Sequence, residues 1–577
     1  MRNSISFVAA IVGGAACCWA VFAQEAADAT KFESVEELIV RYRTDRDALA
    51  KFYGWSVLSE SHRKRMEDFY SAWEASLGEV DYAALSSAGE VDYQLIKHRL
   101  EYRRKSLATN WKKLQGVSEL VAFKDGVLGL YEASRKREKM VARDAAEQLA
   151  MITKAVENLK GKVSIEEGDD KLLTNPVLAL RAQKVVGEVS RRLDSWYRFY
   201  AGFDPEFSWW AKQAHGELKT SLDAYEKHLG ELVTGSKDGS EAPLVGDPIG
   251  AEALEDDLAL EMLAYSPKEL LAIGEREFAW CRAEMVKAAG EMGLGDDWRA
   301  ALEEVKADFV PPGEQDDLAA SIANEAIAFI DDNELVTVPD LCRETWYLTM
   351  LGKKQQETLP YAAYFGQAIG LAFPTEDMSV EQKLMSLRGN NRHFTRAVIP
   401  HELVPGHHLQ KFMAQRHATH RGIFSTPFYV EGWALHWEML LYDLKYPRTP
   451  EERIGMLFWR AHRCARIIVS LRFHLGEMSP EEMVSFLTGE VGMEESGARG
   501  EVRRYIGDRY SPLYQCGYML GGLQLRAIYQ ETVGEGAMTA REFHDAVLML
   551  GPVPMEMVRA SLLGKRLEQG HRSEWRF

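Results

Sequence analysis

The segment His401-Glu402-Leu403-Val404-Pro405-Gly406-His407-His408-Leu409-Gln410 constrains the fold more than any other stretch of this 577-residue chain. In the plain His-Glu-x-x-His motif, histidines at i and i+4 share one helix face and hold a zinc ion, and the intervening Glu stands beside the metal-bound water as general base. Here the second histidine is displaced by two residues. On an unbroken helix, positions 401 and 407 would lie about 9 Å apart along the axis and on different faces, whereas zinc bonds nitrogen at about 2.0 Å. Pro405 removes a backbone donor and Gly406 bends freely, so the pair can loop out and let both halves turn their ligands inward. His408 shares the face of His401 on a straight helix but lies about 10.5 Å along it. A looped-out Pro405-Gly406 therefore favours His407 over His408 as the second ligand, with His408 supporting it or touching substrate.

A metal held by His401 and His407 needs a third ligand, and Phe428-Tyr429-Val430-Glu431-Gly432-Trp433-Ala434 offers one. Thr426-Pro427 starts a helix, which places Glu431 in its second turn and Glu438 on the same face. Val430, Trp433, Ala434, Leu435 and Trp437 make this segment too apolar for a freely solvated glutamate. Buried carboxylates need a partner, and a metal is one. Glu431 is the expected ligand, and Glu438 is expected to orient the ligands from behind.

Composition is that of a large globular protein, 46% hydrophobic and 27% charged. Residues 1–23 stand apart: Arg2 precedes an apolar run from Ile5 to Phe22 that ends in Val21-Phe22-Ala23, the pattern of a cleaved signal peptide. Export to the periplasm or the extracellular space is the expectation, with Cys17 and Cys18 raising lipid anchoring as a less favoured alternative. No later stretch approaches the roughly 20 consecutive apolar residues of a spanning helix, so no integral membrane segment is expected after cleavage. A net charge of −18 argues against nucleic acid or an anionic membrane as the general partner, local basic faces apart. Cys281, Cys342, Cys464 and Cys516 are too widely spaced for a zinc knuckle or redox pair and read as buried thiols.

Helical periodicity runs through most of 24–234, which reads as an N-terminal helical lobe. Within it Tyr200, Phe203, Phe207, Trp209 and Trp210 are expected to pack as core. Turn chemistry from Gly235 to Pro248 marks a boundary, and 250–577 reads as the catalytic lobe. Ser266-Pro267, Thr449-Pro450 and Ser479-Pro480, each followed by Glu, announce helix starts. Leu335–Val338 and Ile369–Phe373 are candidate strands, and an edge strand beside the metal helix could bind an extended peptide. His393, His417, His420, His436 and His474 read as structural histidines. Arg503-Arg504-Tyr505 and Tyr514-Gln515-Cys516-Gly517-Tyr518 combine a cation, phenols and a permissive glycine, and could bind an oxyanion or a peptide carboxylate.

The joint pattern His-Glu-x-x-Pro-Gly-His-His-x-Gln with Glu-Gly-Trp-Ala resembles the bacterial "domain of unknown function 885" family, placed among the gluzincin metallopeptidases, whose third zinc ligand is a glutamate. Ser266 to Leu270 with Ile273-Gly274, Arg463 to His474, Arg504-Tyr505 and Pro512 to Gly521 resemble further family stretches. Glu431 to Ala434 with Glu438 is more distantly similar to the Glu-Gly-Phe-Ala segment of zinc aminopeptidases. Ser470 departs from the Asp expected of the family's arginine-rich helix. The reading is a mainly α protein, two helical lobes flanking a cleft, with a small β element near the zinc-peptidase helix. It is expected to be a metallopeptidase with one zinc ion on His401, His407 and Glu431. Glu402 serves as general base, and Tyr518 or Arg504 stabilises the oxyanion of a peptide substrate. A metal-dependent hydrolase of another amide or ester would use the same ligands, and a non-catalytic helical binding protein would not need Glu402.

Overall fold

The computed structural model describes residues 32–54, 57–235, 244–507 and 510–577. The expected signal peptide, 1–23, lies outside the described residues, as does most of the turn-rich stretch before Gly246. The fold is mainly α, and its helices start where the capping chemistry places them. Ser266, Thr426, Thr449 and Ser479 each accept a hydrogen bond from the backbone N–H three residues on, with proline in the first turn. No helix among the described residues is long and apolar enough to cross a membrane.

The apolar cores do not part at the turn-rich boundary. One core is built from 114–233 and includes Leu149, Val186, Trp196, Phe207 and Tyr225. The largest core joins Leu38, Tyr42, Ile96 and Leu100 to Phe394, Trp433, Trp437 and Phe458. The expected 24–234 lobe is thus shared between two cores. Helix α1 (Ser87–Gln115) runs through both, with Leu100 in one and Leu114 in the other. Its buried acids tie it to the C-terminal part: Asp92 accepts from Arg421 at 2.7 Å, and Glu90 accepts from the Leu567 amide at 3.0 Å. A periodic stripe says that a helix is buried on one side and not by what.

Strands are few. Val163–Ser164 (β1) and Leu172–Leu173 (β2) form a minimal parallel pair. Tyr347–Met350 (β3), Ala362–Phe365 (β4) and Ala368–Leu371 (β5) form a sheet ordered β3-β5-β4, with β3 parallel and β4 antiparallel to β5. The expected strand at Ile369–Phe373 is β5, shifted by one to two residues. Leu335–Val338 is not a strand. Its apolar residues are buried, but side chains satisfy its backbone: Asp545 accepts from the Thr337 amide at 2.9 Å, and His544 donates to the Leu335 carbonyl at 2.7 Å. The aromatic cluster is also corrected. Phe207 is buried, but Phe203 and Trp209 are 67% and 82% exposed at a helix–helix turn.

Six further helices carry the site motifs: α2 (Arg392–Glu402), α3 (His407–Ala414), α4 (Pro427–Asp443), α5 (Pro450–His474), α6 (Glu495–Ile506) and α7 (Tyr514–Tyr529). Helices α4 and α7 meet along a glycine seam. A Cβ on Gly521 would lie 2.2 Å from the Phe428 carbonyl oxygen and 2.9 Å from Gly432 Cα, and one on Gly432 would lie 2.5 Å from the Gly521 carbonyl carbon. Backbone touches backbone there, so an added methyl has no side chain to displace. Gly521→Ala is expected to lower stability by about 1–3 kcal/mol, read as a lower urea midpoint at unchanged slope. A midpoint equal to that of the parent would show that the helices can separate freely at this seam.

Candidate metal centre

The His401–Gln410 motif folds as two helices with a break between them. Helix α2 ends at Glu402 and α3 begins at His407. Between them Leu403 adopts φ −108° and ψ −104°, and the Val404–Pro405 peptide is cis. The Gly406 amide donates to the Pro400 carbonyl at 3.0 Å. A Cβ at 406 would fall 1.7 Å from the His401 carbonyl oxygen, so only glycine fits. Trp433 donates its indole N–H to the Pro405 carbonyl at 2.8 Å, which pins the break against α4.

The break brings His401, His407 and Glu431 together, all three buried, with one donor atom from each lying within 4.8 Å of the others. Glu431 Oε2 is 3.2 Å from His407 Nε2 and 3.6 Å from His401 Nε2. A tetrahedral zinc with bonds of about 2.0–2.1 Å spaces its ligands by about 3.3 Å, close to both Glu431 separations, and two imidazoles with a carboxylate are ordinary zinc donors. His401 turns its other nitrogen, Nδ1, to Glu438 Oε1 at 2.7 Å, which places the proton there and leaves Nε2 free to coordinate. Arg463 donates to the same Glu438 oxygen at 3.3 Å.

The electrostatics call for a cation. Burial pushes the Glu431 carboxyl up, yet the His407 and His401 rings more than offset this and hold it well below the usual range. Burial likewise opposes the charge on Glu438, and Arg463 with His401 keeps it ionised. His401 is pushed up to about 9: burial disfavours its imidazolium, and the bonds to Glu431 and Glu438 outweigh that cost. Two buried carboxylates thus demand positive charge between them, which a proton or a divalent cation can supply.

His408 stands outside the group. Its Nε2 donates to the Cys342 carbonyl at 2.9 Å, and its Nδ1 accepts from the Tyr364 hydroxyl at 3.2 Å, so both ring nitrogens are engaged. Burial lowers its pKa, in keeping with a neutral ring. Of the other histidines, His393 faces Asp308, His420 faces Asp92, and His436 faces His544. Cys281, Cys342, Cys464 and Cys516 are free and buried.

Glu402 and Tyr518 line the cavity that opens on the three ligands, as do Ala362, Ala363 and Tyr364 of β4. The Tyr518 ring stacks on His401 at 6.1 Å and 13°, and burial with Glu431 nearby pushes its hydroxyl up to about 12, so it remains a proton donor. Arg504 also lines the cavity but faces Glu501, at 3.4 Å, and not the three ligands. Ser470, where the family's Asp was expected, is buried with its hydroxyl unpartnered among the described residues. Tyr514, one of the phenols expected to bind an oxyanion or a carboxylate, faces a candidate ligand instead. It donates to Glu431 Oε1 at 2.5 Å. Its spacing of four from Tyr518, on the helix face that Gly517 and Gly521 share, was the available signal.

The family described as "bacterial protein of unknown function (DUF885)" matches residues 49–562. No curated protein matches the sequence. The fold is similar to that of a candidate lipoprotein of unknown function from Shewanella oneidensis, at 17% identity and a TM-score of 0.68 over 92% of this chain and all of that one. It is also similar to a candidate lipoprotein from Colwellia psychrerythraea, at 16% identity and a TM-score of 0.59 over 92% of this chain and 99% of that one. With a match spanning nearly all of its described residues and both halves of the His-Glu and Glu-Gly-Trp pattern, this chain belongs to the bacterial DUF885 family.

Proposed function

We propose that this protein is an exported, gluzincin-like zinc metallopeptidase that hydrolyses peptide bonds of oligopeptides. The observation that carries the reading is the convergence of His401, His407 and Glu431, at zinc-ligand spacing, in a cavity that also holds Glu402 and is bordered by edge strand β4. An edge strand can pair with an extended peptide backbone, which favours a peptide over another amide or ester. Export rests on the N-terminal 23 residues, and the description of two structural relatives as candidate lipoproteins agrees with it.

When bound, zinc supplies a Lewis acid and a water acidic enough to react near neutral pH. The chain's own residues do the rest. The Glu402 carboxylate takes a proton from the attacking water as its oxygen bonds to the scissile carbonyl carbon. Glu402 then delivers that proton to the amine nitrogen as the carbon–nitrogen bond breaks. The Tyr518 hydroxyl donates to the oxyanion that forms in between. Glu438, steadied by Arg463, fixes the His401 ring, and Tyr514 fixes Glu431. Strand β4 holds the substrate backbone in register.

Glu402→Gln keeps size and hydrogen bonding but removes the base. Its turnover of a mixed peptide library is expected to fall by about 100-fold or more with zinc still bound; a rate within a few-fold of the parent would take Glu402 out of the mechanism. Elemental analysis after dialysis tests the ligand set. His407→Ala and Glu431→Ala are expected to lose zinc and His408→Ala to retain it, and the opposite pattern at 407 and 408 would reassign the second ligand. For Tyr518→Phe, a loss of about 2–4 kcal/mol of transition-state stabilisation at unchanged unfolding midpoint fits the oxyanion role, whereas unchanged kinetics excludes it.

A further inference from the structure

The cavity has a second pole. Contacts run around its wall from one metal ligand to the other. His401 stacks on Tyr518, and the Arg466 guanidinium lies 4.3 Å from the Tyr518 ring. Arg466 donates to Glu501 at 2.7 Å, and Glu501 faces Arg504 at 3.4 Å. Arg504 lies 4.9 Å from the Tyr510 ring, Tyr510 packs on Tyr514 at 4.5 Å, and Tyr514 donates to Glu431. Arg504 therefore sits at the far side of a cavity of about 170 Å³ whose near side is His401, His407 and Glu431.

Away from Glu402 and Glu431, which line the same cavity, this wall holds more cations than anions. Three arginines, Arg463, Arg466 and Arg504, face two carboxylates, Glu438 and Glu501. Arg463 is committed to Glu438. Glu501 gives its short bonds to Arg466 and to the Tyr505 hydroxyl, at 2.7 Å and 2.6 Å. Arg504 is the cation left over. Its carboxylate contact among the described residues is the 3.4 Å approach to an oxygen of a group already neutralised. Glu501 supports the charge of this 13% exposed guanidinium through one long contact, while its Nε is buried without a partner among the described residues, so the planar fork keeps donors for a second carboxylate.

We propose that Arg504 receives the free C-terminal carboxylate of a peptide lying across the metal centre, so that this chain acts as a carboxypeptidase and releases a short C-terminal piece. The proposal rests on the peptidase reading above and names its substrate class. At 170 Å³ the space between the ligands and Arg504 is smaller than the roughly 300–1,000 Å³ of ordinary small-molecule sites, and it suits the end of a chain more than its middle. A wider groove of about 550 Å³ adjoins the cavity at Pro360 and Tyr361. Tyr510 orients the guanidinium by stacking, and Tyr518, which lies against His401, is left for the oxyanion.

The test compares N-acetylated peptides bearing a free C-terminal acid with the same peptides as C-terminal amides, on the zinc-loaded full chain. The acids are expected to be cleaved with kcat/KM about 10- to 100-fold higher, as befits loss of hydrogen bonds to a charged partner. Products should be one or two residues from the C-terminus. In Arg504→Ala, KM for the acids should rise until the acid-to-amide ratio approaches one, and Arg504→Lys should restore part of it. Calorimetry with zinc-loaded Glu402→Gln reads the same preference as binding, without turnover. Equal cleavage of acids and amides by the parent, or equal binding by Glu402→Gln, overturns the carboxylate site and leaves the peptidase reading standing. Tighter binding of acids by Glu402→Gln with no cleavage by the parent does the reverse. Because the parent alone supplies the acid–amide comparison, the outcome does not depend on any Arg504 variant folding.

Discussion

The Gly406 backbone passes so close to the His401 carbonyl that no side chain fits between them, and the candidate metal centre depends on it. A continuous helix would carry His401 and His407 to different faces. Ending α2 at Glu402 and restarting at His407 turns the two rings toward one point, with centroids 4.9 Å apart and nearly perpendicular. The break also leaves backbone groups that an uninterrupted helix would satisfy. The Gly406 amide reaches back to Pro400, the His408 amide reaches back to Leu403 at 3.0 Å, and the Pro405 carbonyl accepts from Trp433. The tryptophan of Glu-Gly-Trp-Ala is therefore a clamp on the motif that precedes it, and the two motifs are one structural unit.

The glycine seam does for Glu431 what the break does for the histidines. Gly432 on α4 and Gly521 on α7 let two helix backbones touch, and Gly517 faces Pro427, its Cβ position 2.8 Å from the Pro427 carbonyl carbon. Tyr514 and Tyr518 ride on the same helix as Gly517 and Gly521, so the seam sets how near the phenols come to Glu431 and His401. Behind them the buried charges are arranged in layers: His401 on Glu438, Glu438 on Arg463, Tyr518 on Arg466, Arg466 on Glu501. Each layer removes the cost of burying the one before it.

Sequence alone determined the local chemistry. Helix starts at Ser266, Thr426, Thr449 and Ser479 were legible because a cap is a short-range event involving four residues. The candidate ligands were legible because a histidine pair with a glutamate needs its residues at restricted spacings, and because Pro405-Gly406 has few uses inside a helix. Tertiary structure decided what depends on neighbours distant in the chain. Periodicity could not say that α1 belongs to two cores, since a stripe records burial without naming its partner. Apolar content could not tell a strand from a buried extended segment at Leu335–Val338, since the difference lies in whether Asp545 and His544 or another strand takes the backbone. Nor could it show that Trp209 is exposed. Tyr514 and Arg504 differ from their neighbours through what they face, the candidate ligand Glu431 in one case and the Arg466-paired Glu501 in the other, and that is fixed by how α6 and α7 pack against α4 and α5.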